Sequence, residues 1–133
     1  MGSIVLDTSI VLAMFNPGDV LHKTATATVS EYRERGSSFV VPTSVLSEAL
    51  VLANRRGSDA VDKVESFIDL LSDDMPVIDR VIAREAAVVR AVKNSVKTLD
   101  AFVIATGRVV DASVILTGDR KWAGVDRRVE VIC

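Results

Sequence analysis

Short apolar runs alternating with amphipathic stretches predict an α/β fold, with a central parallel sheet of about five strands covered on both faces by helices. Three observations carry that reading. The apolar runs, such as Ile4-Val5-Leu6 and Val114-Ile115-Leu116, do not alternate with polar residues, which is the pattern of strands buried on both faces. Most runs are followed by a stretch of helical spacing and not by a hairpin turn. Gly, Pro or a capping residue stands at most of the junctions.

The elements follow in order. Ser3 to Leu6 reads as a buried strand ending at Asp7. Ile10, Val11, Ala13 and Met14 have helical spacing, which Asn16-Pro17-Gly18-Asp19 breaks. Residues 20–35 carry a second helical pattern that Gly36 can terminate. Ser38 to Val41 is a strand closed by Pro42; a helix then starts at Thr43 or Ser44 and runs to about Arg56, with Gly57 just past its end. Ser58 can cap the next helix, through Phe67, Ile68, Leu70 and Leu71. Met75 to Ile78 reads as a third strand, residues 81–94 as a helix, and Thr98 as the cap of a helix from Leu99 to about Val109. Ser113 to Leu116 and Val129 to Ile132 complete the strands.

Hydrophobic residues make up 49% of the 133 and charged residues 26%, the profile of an ordinary folded domain and not of a disordered chain. That length leaves no room for a second full-sized core, so residues 1–133 are expected to form one domain. The single cysteine, Cys133, excludes an intrachain disulfide. An acid follows the first apolar residues too soon for a signal-peptide core, and no uncharged stretch approaches a membrane span, so a cytoplasmic location is expected.

In open α/β sheets, ligands bind beyond the carboxyl ends of the strands. Asp7 ends the first strand there, and Asp119 follows the fourth in Leu116-Thr117-Gly118-Asp119. Glu48 and Asp100 lie on helices expected to leave the same edge. Each acid also has a local role open to it. Asp7 can cap the helix beginning near Thr8, Asp100 can favour the positive end of its helix, and Asp119 suits a Gly-containing turn. Glu48 fits a local account least, because its helical neighbours Val45, Leu46, Ala49, Val51 and Leu52 are apolar. Four carboxylates on one edge would repel one another without a cation, and oxygen ligands suit Mg²⁺ or Mn²⁺. Such ions activate water and offset the charge that develops in phosphodiester cleavage. Thr8 and Ser9 beside Asp7, and Thr117 before Asp119, could orient a carboxylate; they serve equally as cap and turn residues.

Net charge is −2, which argues mildly against a nucleic-acid partner, so any basic surface must be local. Arg55 and Arg56, Lys93 and Lys97, Arg120 and Lys121, and Arg127 and Arg128 are the candidates. Asp111 and Asp126 are better read as turn residues, and Trp122 as a packing residue. His22, the only histidine, has no second ligand at zinc spacing, and no Gly-rich phosphate loop occurs. The cluster Phe67, Ile68, Leu70 and Leu71 fits either core or an interaction surface.

Four segments in order carry a resemblance: Ile4-Val5-Leu6-Asp7-Thr8-Ser9, Pro42-Thr43-Ser44-Val45-Leu46-Ser47-Glu48, Leu99-Asp100-Ala101-Phe102-Val103-Ile104-Ala105 and Val114-Ile115-Leu116-Thr117-Gly118-Asp119-Arg120-Lys121-Trp122. Together they resemble the motifs of PIN-domain nucleases, most of all the VapC-like toxins of toxin–antitoxin modules. The resemblance spans residues 4 to about 132. It implies a three-layer α/β/α PIN-like domain with Mg²⁺- or Mn²⁺-dependent endoribonuclease activity. In that picture Asp7, Glu48, Asp100 and Asp119 form the acidic site. Asp7, Asp100 and Asp119 hold the metal directly or through water, and Glu48 completes the shell. An RNA substrate, a homodimer and a cognate antitoxin whose tail reaches the acidic groove are also implied.

The same resemblance admits an RNA-processing nuclease outside a toxin–antitoxin module, and two other classes compete. A phosphoacceptor signalling domain would place paired acids near its first strand, whereas Thr8-Ser9 follows Asp7; a phosphatase built on two neighbouring Asp residues meets the same objection. A non-enzymatic binding module would keep the acids for structure or for a partner.

Overall fold

The computed structural model describes residues 2–133. Four strands, β1 (Ser3–Leu6), β2 (Ser38–Val40), β3 (Val114–Thr117) and β4 (Val129–Val131), form one sheet in the order β2-β1-β3-β4. Every pair is parallel, with Val5 opposite both Val40 and Ile115, and Leu116 opposite Glu130. Six helices connect them: α1 (Thr8–Phe15), α2 (His22–Glu34), α3 (Thr43–Arg56), α4 (Ser58–Leu71), α5 (Arg80–Val92) and α6 (Thr98–Val109).

Side chains alternate across a strand, and on β1 and β3 both sets are enclosed. Ile4, Val5, Leu6, Ile115 and Leu116 are all at most 1% exposed, so helices cover both faces and the three-layer arrangement holds. α6 lies close on the face of Val5 and Ile115, because its Gly107 has no side chain to hold the helix away. α3 pairs with α4, and α5 with α6. In the Phe67–Leu71 cluster, Ile68 and Leu71 enter the core and Phe67 meets Phe15 edge-on at 5.5 Å. Leu70 points outward.

Helix ends follow local chemistry. Gly36 takes φ +84°, the left-handed conformation that closes α2, and Gly57 takes φ +121° between α3 and α4. Asp79 caps α5 by accepting from the Ile82 amide. Neither Ser58 nor Thr98 caps as expected; each is the first residue of its helix, and no side chain caps either end.

The sheet has four strands where about five were expected, and Met75–Ile78 is the segment that differs. The residue just before it, Asp74, makes an isolated bridge to Val40 of the edge strand, and no strand follows there. The Val41 amide donates to Asp74 O at 2.9 Å and the Thr43 amide to Pro76 O at 3.1 Å. Pro76 has no amide hydrogen to return, so the ladder stops there.

Candidate active site

The site is built where the two central strands end. Asp7 follows β1 and stands at the N-cap of α1, with its own amide bonded to Leu116 O of β3 at 3.0 Å. Its side chain makes no capping bond. The carboxylate turns instead toward β3: Oδ2 accepts from the Thr117 hydroxyl at 2.8 Å and from the Ser9 hydroxyl at 2.9 Å. Both hydroxyls are themselves oriented by amides of the β3 turn. Gly118 N–H donates to Ser9 Oγ, and Asp119 N–H donates to Thr117 Oγ1. Asp7, only 5% exposed, is therefore held in a closed relay that joins the end of β1 to the turn after β3.

The other acids come from three further elements. Glu48, in the second turn of α3, is half-buried and accepts from the Thr8 hydroxyl at 3.0 Å, which ties α3 to the start of α1. Its surroundings are less apolar than its sequence neighbours suggest, since Val51 and Leu52 are about half exposed and Ser44, Val45, Ala49 and Ala53 form the buried stripe. Asp100 lies in the first turn of α6, half-buried. Asp119 does take its local role: it caps the short 3₁₀ turn Arg120–Trp122 with Oδ1, which accepts from the Lys121 amide at 2.9 Å. Thr8, Ser9 and Thr117 thus each touch an acid, directly or through the relay.

The carboxylates act on one another. Burial, and then the charges of Asp7, Glu48 and Asp119, push the Asp100 carboxyl up to about 6, with Lys97 pulling in the other direction. Asp7 is raised as well, by burial, against the lowering pull of the Thr117 and Ser9 hydroxyls and the Thr8 and Ser9 amides. Among the described residues, no three acid, histidine or cysteine side chains are gathered tightly enough to ligate one ion together. The acids are close enough to repel and too spread to share an ion by direct contact alone. An all-oxygen set whose mutual repulsion Lys97 only partly offsets fits a hard divalent cation, and Mg²⁺, which keeps several waters, needs only one or two carboxylates in direct contact.

Beside the acids, a cleft of about 330 Å³ is lined by Asp100 and Asp119 together with Ser95, Val96, Lys97, Lys121 and Trp122. Trp122 is 2% exposed and packs into the core, as its sequence context favoured. One residue not singled out in the sequence is Ser44, one turn before Glu48 on α3. Its hydroxyl is buried and has no hydrogen-bond partner; the Ser/Glu spacing of one turn was its only signal. Asp126 and Asp111 lie outside the cluster, bonded to Arg108 and Arg128. His22 Nδ1 is bonded to Ala13 O at 2.8 Å.

Fold and edge together define a parallel α/β domain with an acidic site at the carboxyl ends of its central strands. The chain belongs to the PIN domain family, whose model matches residues 4–128. Solved structures share its fold. VapC20 of Mycobacterium tuberculosis, described as a Sarcin-Ricin loop cleaving toxin, is 24% identical over 84% of this chain and 86% of its own, with a TM-score of 0.65. A toxin–antitoxin complex from Klebsiella pneumoniae matches at 17% identity over 96% of both chains, with a TM-score of 0.77. VapBC2 from Rickettsia felis, bound to a DNA fragment from its promoter, matches at 13% over 97% of this chain and 98% of its own, with a TM-score of 0.74. No curated protein matches the sequence.

Proposed function

We propose that this chain is a metal-dependent endoribonuclease, the toxin of a toxin–antitoxin pair, acting as one domain in the cytoplasm. The observation that carries the reading is the Asp7 carboxylate, buried at the junction of β1 and β3 and held by the Ser9 and Thr117 hydroxyls beside three further acids. Family membership supports the nuclease, and the likeness to a Sarcin-Ricin loop cleaving toxin and to toxin–antitoxin complexes supports the biological setting. No helix among the described residues is long and apolar enough to cross a membrane. RNA is the substrate, a cognate antitoxin the inhibitor, and a homodimer the expected assembly.

Asp7, Asp100 and Asp119 would hold Mg²⁺ or Mn²⁺, directly or through water, with Glu48 completing the acidic shell. The bound ion supplies Lewis acidity and positive charge where negative charge develops on the phosphate. The chain's own part is positional. Thr117 and Ser9 fix one oxygen of Asp7 and so the direction of the other. Thr8 fixes Glu48, and the Lys121 amide fixes Asp119.

Cleavage of a mixed RNA pool by the purified protein tests the proposal. With Mg²⁺ or Mn²⁺ the wild type should cut, EDTA should stop it, and Asp7→Asn should abolish cutting by at least ~100-fold while folding is preserved, since Asn can still accept from both hydroxyls. Cutting that survives EDTA, or survives Asp7→Asn, overturns the site.

A further inference from the structure

Two of the seven residues that line the cleft beside the acids are basic, matching its two carboxylates in number. Lys97 stands at the N-cap of α6, three residues before Asp100, and Lys121 lies in the 3₁₀ turn, two residues after Asp119. Each lysine is thus tied by a short backbone path to one of the two acids that share its cleft. Neither has an ion-pair partner among the described residues; the ion pairs of Arg108 with Glu85 and Asp126, and of Arg128 with Asp111 and Asp126, do not reach the cleft. Their backbones are fixed. The Lys121 amide is bonded to Asp119 Oδ1 at 2.9 Å, and the neighbouring Trp122 ring is sunk in the core. Lys97 is followed directly by a twelve-residue helix whose Ala101 amide bonds to the Lys97 carbonyl at 2.8 Å.

A chain of net charge −2 that must attract a polyanion needs its cations placed where they count. Lysine is suited to this as a compact charge with three donors on a flexible stem. The cleft volume lies at the lower end of the ~300–1,000 Å³ usual for small-ligand sites, a scale of one nucleotide and not of a peptide helix. We propose that Lys97 and Lys121 form a phosphate subsite, which takes the backbone phosphodiester of the nucleotide next to the one cut and so sets the register of the strand against Asp100 and Asp119. The subsite rests on the ribonuclease reading for its substrate, but it is read out by binding and not by cutting.

The probe is a fluorescent single-stranded oligoribonucleotide, titrated by anisotropy at several salt concentrations against Asp7→Asn, Asp7→Asn with Lys97→Gln and Lys121→Gln singly and together, and the matching Lys→Arg versions. On a single strand each lysine in contact with a phosphate contributes about 0.7 to the slope of log K against log salt, so the slope should fall by ~0.7 for each single change and ~1.4 for the double, with Arg restoring it. Weaker binding with an unchanged slope would mean that the lysines only shape the cleft, and the subsite is overturned. Unchanged affinity and slope overturn it too. Wild-type cleavage is followed in parallel. If it cuts in Mg²⁺ or Mn²⁺ while the lysine variants bind as before, the subsite alone fails. If it neither cuts nor binds RNA, the ribonuclease reading fails with it.

Discussion

Thr117 is fully buried, and its hydroxyl is used twice, as donor to Asp7 and acceptor from the Asp119 amide. Thr117→Val keeps the shape and removes both bonds, leaving a buried carboxylate short of a donor. It should lower unfolding stability by about 2 kcal/mol in a denaturant titration and reduce cleavage, with Thr117→Ser recovering most of both. Asp100 works in the opposite sense. Its folded carboxyl is raised from 3.8 to about 6, so the folded state holds its proton more tightly and stability is lost as pH rises through that interval. Asp100→Asn removes this loss. At pH 7 the variant should be more stable by about 1 kcal/mol after allowing for solvent screening of a half-buried group, seen as a Tm roughly 4 °C higher. The gain should vanish below pH 4, and equal Tm differences at pH 4 and pH 7 would contradict it. That the four acids come together was legible in the sequence from their places after strands and on helices that leave the same edge. What joins them was not: Asp7 and Thr117 are 110 positions apart, and only the β1–β3 pairing brings the hydroxyl to the carboxylate. Glu48 was picked out for an apolar setting that it has only in part, because the helix buries Ser44, Val45 and Ala49 and leaves Val51 and Leu52 half outside.

Helix α6 carries Asp100, and its depth is set at the far end. A Cβ on Gly107 would fall 2.4 Å from Ile115 Cδ1 and 2.5 Å from Cγ1, too close without a shift of helix or strand. Gly107→Ala should therefore destabilise the fold by about 1–3 kcal/mol despite alanine's better helix propensity, measured by urea unfolding. Among the elements, those with both an apolar run and punctuation at each end were legible: β1, β2 and α3 lie within a residue or so of expectation. Met75–Ile78 has the apolar run but holds Pro76 within it, and the missing amide outweighs the composition. The caps were the least legible, since Ser58 and Thr98 have capping chemistry yet sit one position inside their helices. Propensity names the residue type at a helix start, while tertiary packing decides which residue opens the first turn.

Across the whole molecule, one ion-pair network joins α5, α6 and the segment before β4. Arg108 bonds Asp126 at 2.8 Å and Glu85 at 3.1 Å, while Arg128 holds Asp111 and the Ala112 carbonyl. Burial alone would raise the Asp126 carboxyl, but the Arg128 amide and the Arg108 guanidinium outweigh it and hold it below 3.8. A lowered acid adds stability above its unfolded value and loses it as pH falls through the folded one. Arg108→Met should thus cost about 2 kcal/mol at pH 7, with the gap to wild type closing below pH 3.8; a gap independent of pH would mean that packing and not charge is what Arg108 supplies. The strand order has a consequence in time as well as in space. β1 is synthesised more than 100 residues before β3, its partner on the acidic side, and the Thr117 hydroxyl and Asp119 emerge later than every helix. A nascent chain still on the ribosome holds Asp7 with no relay behind it and α1 to α6 with no finished edge. Synthesis that has reached only α6 therefore yields Asp7, Glu48 and Asp100 without Thr117 or Asp119, so the acidic edge is closed only after every α-helix has been made.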